Sequence, residues 1–188
     1  MVRTNSKGKG NDMKKLIIFI GFFGTFLLNS SEMIFGKETL SNGINVVFEA
    51  APKDIVYPEK YFLKEKNTDI HIEMLINWSD VSPTGSPVGG FIPYLDVQAT
   101  IKNKDGKSLK VKLTPHLNIT DNFHYAQNVQ LPGKVDDLYE VIIEIIPPKN
   151  GELGIHYDWN QNYGFLVERQ KFIYTDLSFE DIAKQSRR

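Results

Sequence analysis

Four histidines are the whole imidazole supply of this 188-residue chain, and each lies in or beside a strand-like segment. His71 sits within Asp69 to Met74, and His116 follows Pro115 at the end of a strand-like stretch. His124 opens another stretch after the turn-like Thr120 to Asn122, and His156 stands between Gly154 and Asp158. Imidazole is the commonest protein ligand for borderline divalent metals. The chain has no cysteine, which excludes thiolate metal sites, disulfides and Cys nucleophiles together. His71 and Glu73 are two residues apart, so on a strand they leave the same face with Cα atoms about 7 Å apart, a spacing one ion can bridge. His156 and Asp158 repeat it. The two carboxylates can act as ligands or as partners that fix imidazole tautomers, and Glu73 is the better ligand candidate. Taken singly, each histidine has an ordinary reading as a surface or hydrogen-bonded side chain, and His-x-Glu alone is a weak signal. The decisive question is whether folding brings these side chains together.

The elements that must position them read as strands. Ile70, Ile72, Met74 and Ile76 fall on one face of a strand, which leaves His71 and Glu73 on the other, pointing to solvent or a partner subunit. Leu95, Val97, Ala99 and Ile101 alternate with polar residues, and Asn103 to Gly106 turns the chain into Leu109, Val111 and Leu113, a β-hairpin pattern. Leu138 to Ile146 is apolar at nearly every position, as in a strand buried on both faces, and Pro147 and Pro148 stop it. A last extended stretch is expected from Tyr163 to Tyr174, and only Phe179 to Gln185 reads as a short helix. This spacing of short strands and turns implies an all-β sandwich of about seven to nine strands.

The N-terminus reads differently. Met13, Lys14 and Lys15 precede an unbroken apolar run from Leu16 to Leu28, followed by Asn29, Ser30 and Ser31. A basic start, a short apolar run and a small polar exit make a secretory signal peptide over 13–36, cut between Ser31 and Gly36, with a retained anchor as the alternative. Residues 1–12 read as a leader or an early start, and 37–188 as one domain. Beyond residue 36 the chain carries 17 basic and 21 acidic side chains, a net charge of −4, which gives no reason to expect nucleic acid as a partner.

The order of motifs resembles the periplasmic high-affinity Fe2+ transport accessory proteins, a family that includes related lipoprotein antigens. The residues that carry the resemblance are His71-Ile-Glu73, Pro93 to Val97, Asp121 to Val129, Ile146 to Pro148 and Gly154 to Asp158, with Gly164 closing the last motif. It implies an immunoglobulin-like β-sandwich, a homodimer, a periplasmic location, copper binding, and an inner-membrane iron permease as partner. It also implies His71, Glu73, His124 and His156 as metal ligands. The methionine of the family site does not carry over: its position falls on Leu117, next to His116. Either His116 replaces the thioether after a one-residue shift or that ligand is lost; we read replacement, which makes Cu(II), Zn(II), Ni(II) or Fe(II) better guests than Cu(I). Two further departures are Asn122-Phe123 for Gly-Pro and Ile155 for Arg.

The expected function is therefore metal binding in support of iron uptake, not catalysis. The chain offers neither a Ser-His-Asp arrangement nor a Gly-rich phosphate loop. A zinc-dependent hydrolase and an immunoglobulin-like adhesion module with incidental histidines are the alternatives. Metal affinity is expected to fall as the pH drops below the imidazole value of about 6.5.

Overall fold

The computed structural model describes residues 32–187, so the leader at 1–12 and most of the expected signal peptide lie outside the described residues. Among these residues are eight strands: β1 (Met33–Leu40), β2 (Ile44–Pro52), β3 (Ile70–Trp78), β4 (Asp96–Asn103), β5 (Ser108–Asn118), β6 (Asn122–Val129), β7 (Leu138–Ile146) and β8 (Gln170–Ser178). They pair antiparallel throughout, in the spatial order β1-β2-β3-β6-β5-β4-β7-β8. The joint is β5, at eleven residues the longest strand. Its first half pairs with β4 and its second half, from Thr114, pairs with β6, so one strand passes from the first layer to the second. At the far edges β1 and β8 approach each other. The Phe35 ring lies 5.4 Å from that of Tyr174, and the Tyr174 hydroxyl donates to Glu38 Oε1 at 2.8 Å. Gly36 permits this approach, because a Cβ there would run into the Tyr174 ring.

Between the layers lie the alternate residues of the strands. Val46 and Phe48 on β2, Ile70, Ile72, Met74 and Ile76 on β3, Val97 and Ala99 on β4, and Val141 and Ile143 on β7 are all buried. Each of these side chains except Ala99 contributes roughly 1.5–3 kcal/mol by leaving water. The β4–β5 hairpin forms where Asn103 to Gly106 implied it, and α2 (Glu180–Ala183) falls inside the expected C-terminal helix. The all-β, immunoglobulin-like sandwich is what the chain adopts.

Four local expectations need correction. First, β3 is buried on both faces, not one: His71 and Glu73 are only 4 % and 3 % exposed. The cause is the segment joining β2 to β3, which covers their side of the sheet. Second, β7 does the reverse of what its apolar run implied. Tyr139, Val141, Ile143 and Ile145 are buried, while Leu138, Glu140, Ile142, Glu144 and Ile146 are only half-buried. Third, the extended stretch expected from Tyr163 does not begin there. Residue 163 ends a helix, α1 (Tyr157–Tyr163), and β8 starts at Gln170. Fourth, β5 does not stop before His116 but carries it within the strand.

Candidate metal centre

The site is built by register. His124 on β6 and His116 on β5 are direct cross-strand partners, and on the other side of β6, Asn128 is the partner of His71. Glu73 and Thr114 both face Ala126. Because side chains alternate along a strand, residues 71 and 73, 114 and 116, and 124, 126 and 128 share one face. Tyr125, between them in sequence, points the opposite way. Its hydroxyl accepts the Leu95 N–H and donates to the Ile92 carbonyl, both at 3.0 Å, which clasps the chain before β4 to the core.

Three of the four histidines meet on that face. The rings of His71 and His116 are 5.3 Å apart and those of His116 and His124 are 6.0 Å apart, with a nitrogen of each within 4.8 Å of the others. All three are buried. They line a cavity of about 540 Å³ that is also bounded by Glu73, Asp54, Tyr57 and Phe62. The Phe62 ring stands edge-on to His116 at 5.1 Å.

Hydrogen bonds decide which ring nitrogens keep a lone pair. His124 Nδ1 lies 3.0 Å from the Asn122 carbonyl, an acceptor, so Nδ1 carries the proton and Nε2 keeps its lone pair. His71 Nδ1 lies 2.7 Å from Asn128 Oδ1, leaving His71 Nε2 on the Glu73 side. His116 Nε2 is buried with no hydrogen-bond partner, while the Glu73 carboxyl shares a hydrogen bond with that of Glu49. Buried polar atoms are nearly always satisfied, so an unpartnered imidazole nitrogen on a residue that lines the cavity fits a cation better than it fits an empty pocket.

Electrostatics agrees. Burial, reinforced by the neighbouring imidazoles, lowers His116 to about 3. Burial also outweighs the Asn128 hydrogen bond and lowers His71 to about 4. Glu73 moves the other way, to about 9, because burial is compounded by the charges of Glu49 and Asp121. Glu49, its cross-strand partner on β2, is raised mainly by burial as well. The 3.7 Å contact between His71 Nε2 and Glu73 Oε1 is thus a meeting of two neutral groups, too long for a hydrogen bond and not an ion pair. Neutral imidazole is the form that binds a metal.

His156 does not join this cluster within the chain. The strand expected around it is absent: His156 immediately precedes α1, is exposed, and lines a different cavity with Trp159 and Tyr163. Asp158 is exposed too and accepts the Trp159 N–H. The sequence reading passed over Asn128, Glu49, Asp121 and Glu32. An oxygen each of Glu32, Glu73 and Asp121 lie within 4.8 Å of one another, so Glu73 belongs to both groups of donors. Asn128 carried a signal, since it stands four residues after His124 on the same strand and hence on the same face. Glu49 carried none, because it meets Glu73 only through the pairing of β2 with β3.

Residues 29–181 match the sequence pattern of a family described as Fe2+ transport protein. The chain belongs to that family. Relatives include a UPF0423 protein of Brucella abortus, 28% identical over 141 residues that cover 72% of this chain and 75% of the relative. Among solved structures, a copper-bound variant of Campylobacter jejuni P19 is similar at a TM-score of 0.66 and 26% identity, over 78% of this chain and 96% of that one. A copper-bound variant of FetP from uropathogenic Escherichia coli strain F11 is similar at a TM-score of 0.64 over 77% of this chain and 95% of that one. At 22% identity the FetP likeness bears on the fold alone. No helix among the described residues is long and apolar enough to cross a membrane.

Proposed function

We propose that this member of the Fe2+ transport family is an exported copper-binding protein that supports iron uptake, with His71, His116, His124 and Glu73 as the ligands of the ion. The observation that carries the reading is the convergence of three buried imidazoles on one cavity, a nitrogen of each within 4.8 Å of the others, with the Nδ1 atoms of His71 and His124 engaged by acceptors so that their Nε2 atoms keep the lone pairs. The copper-bound relative P19 supports the choice of metal.

His116 stands in for the absent thioether. Of the two methionines among the described residues, Met74 is buried in the core and Met33 lies on β1. Three imidazoles and a carboxylate suit Cu(II) better than Cu(I), with Zn(II) as the main competitor. A bound copper would supply a one-electron redox couple. What the chain itself does is hold His71 and His116 neutral, fix the tautomers of His71 and His124, and cover the site with the segment that carries Phe62. The carboxylates around Glu73 offer oxygen donors, which iron accepts readily. Export to the periplasm, a homodimer and an inner-membrane iron permease complete this reading. In the homodimer, His156 of a second copy supplies a further imidazole to the site.

Competition titration of Cu(II) into the metal-free protein tests the reading. One ion per chain is expected, with binding abolished in His71→Ala and weakened roughly tenfold or more in His116→Leu. Parent-like binding by His71→Ala would overturn the site, and parent-like binding by His116→Leu would show that the family's methionine position has no replacement.

A further inference from the structure

The residue that decides the direction of His71 is not itself a ligand. Asn128 is 3 % exposed, and its Nδ2 donates to the Asp54 carbonyl at 2.7 Å and the Leu63 carbonyl at 2.8 Å. An amide nitrogen has two protons and no acceptor, and both protons are engaged by oxygens that can only accept. Turning the amide over would set its oxygen against two carbonyl oxygens, so the network itself assigns the orientation. Oδ1 therefore faces His71 Nδ1 at 2.7 Å. An amide oxygen cannot donate, which obliges Nδ1 to hold the proton and leaves the lone pair on Nε2. The same amide ties two points of the β2–β3 connection, residues 54 and 63, down onto β6.

We propose that Asn128 is the positioning residue of the centre, holding His71 in its Nδ1-protonated tautomer while pinning the segment from Asp54 to Leu63 across the cavity. Both the aim of one ligand and the closure over it depend on a single side chain. A partner on the far nitrogen of a ligating imidazole usually affects metal affinity by about 10- to 100-fold. For its metal arm the proposal rests on His71 being a ligand; its tautomer arm does not.

The test begins with ring nitrogen–proton correlation spectra of the metal-free protein carrying 15N-labelled histidine. His71 is expected to be protonated at Nδ1 alone, and protonation at Nε2 in the parent would overturn the proposal whatever any variant does. Asn128→Asp keeps the acceptor and loses both donors: the tautomer should persist while trypsin cleavage at Lys60 or Lys64 accelerates. Asn128→Leu loses everything: the tautomer should become mixed and Cu(II) affinity should fall about 10- to 100-fold. A purely structural role would lower the melting temperature of both variants and leave the tautomer alone. A folded Asn128→Leu protein with the parent tautomer and the parent affinity would therefore overturn the proposal. If that variant does not fold, the parent spectrum and the Asp variant still decide it. A parent that shows the expected tautomer yet binds no Cu(II) would overturn the functional reading and uphold the tautomer arm.

Discussion

Burial sets the acid–base behaviour of the centre residue by residue. His71 titrates near 4 and His116 near 3 in the folded chain, against about 6.5 when unfolded. Their contribution to stability is complete above the unfolded value and is lost as the pH falls from 6.5 through the folded values. For His71 alone the loss is roughly 3 kcal/mol at most. Glu73 has the opposite sign: its raised value of about 9 gives stability that is full below the ordinary carboxyl range and lost as the pH rises through 9. The melting temperature of the metal-free protein should therefore peak in mild acid and fall on both sides. Glu73→Gln should flatten the alkaline fall and leave the acid one, and thermal melts across the pH range check this. For the imidazoles of His71 and His116 the loss of metal affinity expected below about 6.5 moves to lower pH for the same reason, whereas Glu73, protonated up to about 9, must release its proton to ligate and extends the pH dependence upward.

At the scale of elements, β6 carries two faces with two tasks. His124, Ala126 and Asn128 face the centre, while Tyr125 clasps Leu95 and Ile92 on the core side. Tyr125→Phe removes both hydrogen bonds and leaves the Leu95 N–H buried without its partner, at a cost of about 1–3 kcal/mol. Urea unfolding should show that loss with an unchanged slope, because no surface is newly exposed. The histidine tautomers, set on the opposite face, should not change. An unchanged midpoint would mean that water replaces the hydroxyl at no cost.

For the whole molecule, the separation of His156 from the other three histidines has a consequence if the protein is a homodimer. One copy then offers three imidazoles and its neighbour the fourth, so His71→Ala and His156→Ala proteins are each deficient but complementary. In a mixed dimer, the chain with an intact His71 meets a neighbour with an intact His156. Refolding the two variants together should restore tight Cu(II) binding to half of the sites in mixed dimers. A monomer by sedimentation, or no recovery on mixing, would count against His156 as a ligand from a second copy.

Alternation along single strands was legible without a structure. It placed Ile70, Ile72, Met74 and Ile76 in the core, located the β4–β5 hairpin, and put His71 with Glu73 on one face, because a period of two is a local property of extended chain. The sandwich and the family motifs were legible as well. What faces the second side of β3 was not, since the segment that buries His71 and Glu73 has no strand pattern of its own. Nor was the helix after His156, where a two-residue spacing imitated a strand. The amino-acid sequence alone determined which residue types are available and which share a face. Only the tertiary structure decided that β3, β6 and β5 lie side by side, which is why three imidazoles and Asn128 meet while the fourth imidazole stays apart. Strand order is a property of long-range pairing, and no local pattern encodes it.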